Sequence, residues 1–129
     1  MNSTLKKTML HFEEGILTVS FVDHTVVEVE DLIYIYSFAF QESKGQPYGV
    51  LFDSSSQHEF SEEAIVYFAD SVHTHNVVAL AYVSRTLLSK IRLQLLLIFE
   101  KPLLKPKIFH DEVPAYEWLR QQVDDAVES

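Results

Sequence analysis

Two stretches near the start of the chain alternate apolar and polar positions, Thr8 to Glu13 and Ile16 to Val22, with Glu14-Gly15 between them. Period-two alternation around a short glycine turn predicts a β-hairpin. From Val26 to Phe40 the residues are rich in β-branched and aromatic types, which favours strand by propensity. Against that, Thr25 and Glu28 have capping-box spacing, and Val29, Leu32, Ile33, Tyr36 and Phe40 fall on one helical stripe, so this segment is read as a helix. Tyr48 to Asp53 (YGVLFD) is a short apolar strand, followed by a polar loop up to Phe60. Ser61 is placed to cap the next helix, with Glu62 and Glu63 in the first turn and Ile65, Phe68, Ala69 and Val72 as its inner stripe. That helix is expected to end near His73 to Asn76, with Asn76 as C-cap.

The last third alternates again. Val77 to Val83 is an uncharged apolar strand, and Thr86 to Glu100 is leucine-rich at helical spacing. Lys105 to His110 is a strand after a proline, and Pro114 to Val123 a short amphipathic helix. The predicted order is β-β-α-β-α-β-α-β-α, about five strands and four helices in one α/β domain spanning residues 1–129. The opening hairpin joins a mixed sheet whose later strands run parallel.

Composition narrows the function. There is no cysteine, so disulfides, thiolate metal sites and a cysteine nucleophile are excluded. A net charge of −9 argues against a protein that neutralises nucleic-acid phosphates over its whole surface. The charge is uneven: Arg85, Lys90, Arg92, Lys101, Lys105 and Lys107 face only Glu100 within residues 85–107, a band of +5 that leaves −14 for the rest. Such a band either meets an acidic partner or an anionic membrane surface, or balances acidic neighbours in the fold. The opening MNSTLKKTMLHFEEG has lysines without a following apolar run and predicts no signal peptide. Ile91 to Phe99 is too short and too interrupted to span a bilayer. A cytoplasmic location is the expectation.

The run Ala79, Ala81, Ser84, Arg85, then Lys101, Pro102, Pro106, Lys107, Ile108, Phe109, then Ala115, Trp118, Leu119 resembles the small SpoIIAA-like members of the STAS superfamily. The upstream stretch Tyr48 to Ala69 fits the same pattern, so the likeness covers about Leu10 to Leu119. The resemblance implies a SpoIIAA-like mixed sheet and action through protein–protein contact. In better-known relatives a serine at a helix start, in an Asp-Ser-Ser-Gly-like motif, is phosphorylated. Asp53-Ser54-Ser55 ends a strand here, and by position in the fold the counterpart is Ser61. The motif's glycine is missing, and Glu62 and Glu63 would repel a phosphate on Ser61. Other relatives of this fold resemble lipid-binding Sec14-like domains, which implies a carrier of an apolar ligand as an alternative.

Candidate chemistry is sparse. Asp53 lies at the carboxyl end of a parallel strand, where α/β folds place functional groups, and His58 is five residues on. With Ser54 to Ser56 these sketch a hydrolase, but no glycines surround the serines to form a nucleophile elbow. His73 and His75 are two apart and would point to different helix faces, so no metal site is expected. Three glycines, Gly15, Gly45 and Gly49, are too scattered for a phosphate-binding loop or dinucleotide fingerprint, and no cofactor is expected.

The leucine-rich helix exceeds structural need. Leu87, Ile91, Leu95 and Ile98 suffice to cover a sheet, while Leu93, Leu96, Leu97 and Phe99 spread apolar surface around the other side. A neighbouring element, a second copy in a homodimer, or a ligand would cover them. The expected function is a non-enzymatic binding or regulatory module.

Overall fold

The computed structural model of the protein describes residues 2–5, 7–53, 58–71, 76–84 and 106–128. Among these residues eleven elements follow in order: β1 (Asn2–Leu5), β2 (Thr8–Glu13), β3 (Ile16–Phe21), β4 (Thr25–Val27), α1 (Val29–Ser43), β5 (Tyr48–Asp53), β6 (His58–Phe60), α2 (Glu62–Ser71), β7 (Val77–Val83), β8 (Lys107–Phe109) and α3 (Glu112–Glu128). Among the described residues, six strands form one sheet in the order β1-β2-β3-β5-β7-β8. The first three run antiparallel, and β3, β5, β7 and β8 run parallel, as a hairpin followed by βα units requires.

The hairpin closes in register at Glu13 opposite Ile16, leaving a two-residue turn. Glu14 and Gly15 both have positive φ, 53° and 79°, the signature of a type I′ turn whose twist matches its strands. The turn is tied to α3 by Arg120, which donates to the Glu14 carboxylate, and by the Tyr116 hydroxyl, which donates to Glu14 Oε2 at 3.3 Å.

Alternation along β5 and β7 divides the core in two. Val50 and Phe52, with Leu80, Leu17 and Val19, face α1 and α2, where Leu32, Ile35, Tyr36, Ala39 and Ala64 meet them. Leu51, Ala79, Ala81 and Val83 face the other way, against Ala115 and Leu119 of α3. Gly49 is what lets α3 lie so close: a Cβ there would come within 3.1 Å of Leu119 Cδ2 and 3.4 Å of Val123 Cγ2.

Several expectations shift. Thr25 does not cap α1: it begins β4, and its hydroxyl donates to the Val22 carbonyl at 2.6 Å. The helix starts at Val29 and runs to Ser43, three residues later at each end than its apolar pattern indicated. The inner stripe is also rotated. Leu32, Ile35, Tyr36, Ala39 and Ser43 are buried, whereas Ile33 is 48% and Phe40 66% exposed. His58 to Phe60 is a strand where a loop was expected, β1 was not foreseen, and the last helix is longer than its amphipathic core. The leucine-rich segment, with Leu93, Leu96, Leu97 and Phe99, lies outside the described residues, as do His73, His75 and all of the basic band except Lys107. Asn76 is described and has a positive φ of 64°; α2 is described as far as Ser71, and residues 72–75 lie outside the described residues. No helix among the described residues is long and apolar enough to cross a membrane.

Candidate functional site

Two helices begin side by side at the carboxyl end of the parallel strands. The cause is a second, two-stranded sheet. β4 pairs in parallel with β6, with Thr25 opposite His58, Val26 opposite Glu59 and Val27 opposite Phe60. The ladder continues one step further: the Ser61 backbone N–H donates to the Val27 carbonyl at 2.9 Å. β4 leads through Glu28 into α1, and β6 leads through Ser61 into α2, so the ribbon holds the two helix starts in step.

Aromatic packing seats this ribbon. Phe60 meets Phe21 edge-on at 6.1 Å between centroids and Phe52 at 6.3 Å. Phe52 also meets Phe68 of α2 at 5.7 Å and stacks on Tyr82 of β7 at 6.1 Å. Offset and edge-to-face pairs of this kind add to the stability given by their burial. Tyr36 of α1 and Tyr67 of α2 join the helices, their rings 6.3 Å apart.

Each helix start is capped by its own chemistry. At α1 the Asp31 carboxylate accepts the Glu28 backbone N–H at 2.8 Å, the return half of a capping box. Lys7 lies 3.0 Å from Asp31 Oδ2 and donates to the Val26 carbonyl at 2.9 Å, which balances the carboxylate and pins β4. At α2 the Ser61 hydroxyl accepts the Ala64 backbone N–H at 3.1 Å, and the Ser61 carbonyl accepts from Ile65 at 3.0 Å. Ser61 is thus the N-cap that its sequence context indicates. Glu30, Glu62 and Glu63 are exposed around these two starts, and no ion pair holds any of them among the described residues.

The helices cover the same sheet face and run in the same direction, each linking one parallel strand to the next. Ile33 and Val66 are the fifth residues of α1 and α2, counted from starts that the Val27–Phe60 pairing holds in step. Both are exposed, by 48% and 46%. Phe40 is seven residues beyond Ile33, two turns along the same stripe of α1. The exposed surface of these helices therefore carries Ile33, Phe40 and Val66, with Glu30, Glu62 and Glu63 at the end where the helices begin.

Asp53 ends β5, opposite Ser20 of β3 and Val83 of β7, and is half-buried. Burial first, and then its carboxylate, push the Tyr82 phenol up to about 12. His58 begins β6 and pairs with Thr25, so Asp53 and His58 belong to different sheets; the serines between them lie outside the described residues. Among the described residues no cluster of three or more His, Cys, Asp or Glu side chains has metal-binding geometry. The helical stripe read from the sequence places Ile33 and Phe40 inside, whereas both are at the surface. The available signal was that α1 carries more apolar residues than one stripe can bury: Leu32, Tyr34, Ile35, Tyr36 and Phe38 besides Ile33 and Phe40.

Comparison with known proteins agrees with this architecture. A family model described as a domain of unknown function, DUF7793, matches residues 10–123. Among solved structures, the chain is similar to an uncharacterized protein of the DUF3478 family with a SpoIIAA-like fold from Shewanella loihica PV-4. The two share 18% identity at a TM-score of 0.63, over 92% of this chain and 98% of that one. The fold is SpoIIAA-like. No curated protein matches the sequence.

Proposed function

The chain belongs to the family described as domain of unknown function DUF7793, and on that footing we propose that it is a protein-binding module with no catalytic chemistry of its own, docking through the outer face of α1 and α2. The observation that carries this reading is Phe40. A phenylalanine 66% exposed, two turns along α1 from a half-exposed isoleucine, serves neither the core nor solubility. Scattered apolar residues are ordinary on a surface, but these share one stripe beside Val66. A regulatory role belongs to the same reading, as the STAS-like resemblance implies, and a cytoplasmic location is proposed with it.

The test is a photo-crosslinking amino acid at Ser37, which is exposed on α1 between Ile33 and Phe40. Irradiated in its own cells, the protein should form a discrete adduct with another polypeptide. A chain that crosslinks only to water, or that yields a bound small molecule instead, would contradict the reading and favour a carrier.

A further inference from the structure

Resting on the binding-module reading, we infer the chemistry of the partner: it presents an amphipathic helix with an apolar face and basic residues, which lies along α1 and α2. The shape comes from the two helices. They run in the same direction from paired starts, with Ile33 and Val66 each fifth in its helix and Phe40 two turns beyond Ile33, so the apolar strip extends roughly 10 Å along α1. Side chains repeating every three or four residues on a partner helix match such a strip.

The sign comes from charge. At one end of the strip stand Glu30, Glu62 and Glu63, all exposed, in a chain of net charge −9. Asp31, by contrast, is already balanced by Lys7 at 3.0 Å. A second copy meeting this face with its own would bring the two acidic rims together, which disfavours face-to-face self-association. A basic segment gains at both levels, by contact with the carboxylates and by attraction to the whole molecule.

The experiment uses two synthetic helices of about 15 residues, one of leucine and lysine and one with every lysine replaced by glutamate. Binding is read by fluorescence anisotropy against the full chain. The lysine helix should bind, and more weakly as salt rises. Phe40→Glu should weaken it by about tenfold or more, and so should the double variant Glu62→Lys/Glu63→Lys, with circular dichroism showing all variants folded. No binding by the lysine helix, equal binding by the glutamate helix, or equal binding to all variants would overturn the inference. A dimer of the wild type that Phe40→Glu dissociates in sedimentation would overturn it too. If crosslinking at Ser37 instead captures a neutral or acidic segment, the charge assignment fails while the binding-module reading stands.

Discussion

The backbone N–H of Ser61 donates to the carbonyl of Val27 at 2.9 Å, and this bond joins the residue that caps α2 to the strand that leads into α1. It is the last rung of the β4–β6 ribbon. Through it the two helices start in step, with Ile33 and Val66 each the fifth residue of its helix. The outer face is a consequence of three-residue strands.

Removing the α2 cap should therefore be felt locally. Ser61→Ala leaves the Ala64 N–H without its acceptor and should cost about 1 kcal/mol, within the usual range for caps. Ser61→Asp supplies another good cap and should restore most of that loss. Urea unfolding of the three proteins measures it, and equal midpoints would show that Ser61 does not cap α2 in solution.

The two faces of α1 should respond oppositely to substitution. Ile35→Ala empties a buried position and should destabilise by roughly 2–5 kcal/mol. Phe40→Glu and Ile33→Glu alter exposed positions and should stay within about 0.5 kcal/mol of the wild type. Thermal or urea unfolding distinguishes them; a large loss for Phe40→Glu would mean that its ring is covered within the chain.

The seat of α3 depends on Gly49. Gly49→Ala places a methyl 3.1 Å from Leu119 Cδ2, tighter than ordinary contact, and should cost roughly 1–3 kcal/mol. In a Leu119→Ala background the new methyl gains room, so the double variant should lose less than the sum of the singles. A double-mutant cycle in urea reads this coupling, and strict additivity would refute the close approach.

Alkaline pH should unfold the protein in a defined window. Burial and then the Asp53 carboxylate raise the Tyr82 phenol to about 12, and burial also raises that of Tyr48. Above the unfolded-state value near 10, the unfolded chain releases protons that the folded chain retains, so folding stability is fully present below about pH 10 and is lost as pH rises toward 12. Tyr82→Phe should flatten that fall. Melting curves from pH 8.5 to 11.5 test it, and the same slope in both proteins would exclude Tyr82 as a source.

Much of this architecture was readable from residue pattern. Glu14-Gly15 between alternating runs specified the hairpin, uniform apolar character specified β5 and β7 as strands buried on both faces, and Ser61 before two glutamates marked the start of α2. The ribbon was not readable. Three-residue strands are too short for periodicity to register, and Thr25 with Glu28 imitates a capping box whose working members are Glu28 and Asp31. That substitution of one box for another set the start of α1 three residues early. The outer face was missed for a related reason: where apolar residues surround a helix, only tertiary packing decides which of them are buried. Ile33 and Phe40 went to the surface because Ile35, Tyr36 and Ala39 meet the sheet.

The most direct test of the central claim is native mass spectrometry of the protein purified gently from its own cells, wild type beside Phe40→Glu. The account predicts a complex with another polypeptide in the wild type and a bare, folded chain in the variant. The same complex in both, or a small molecule retained by both, would contradict it.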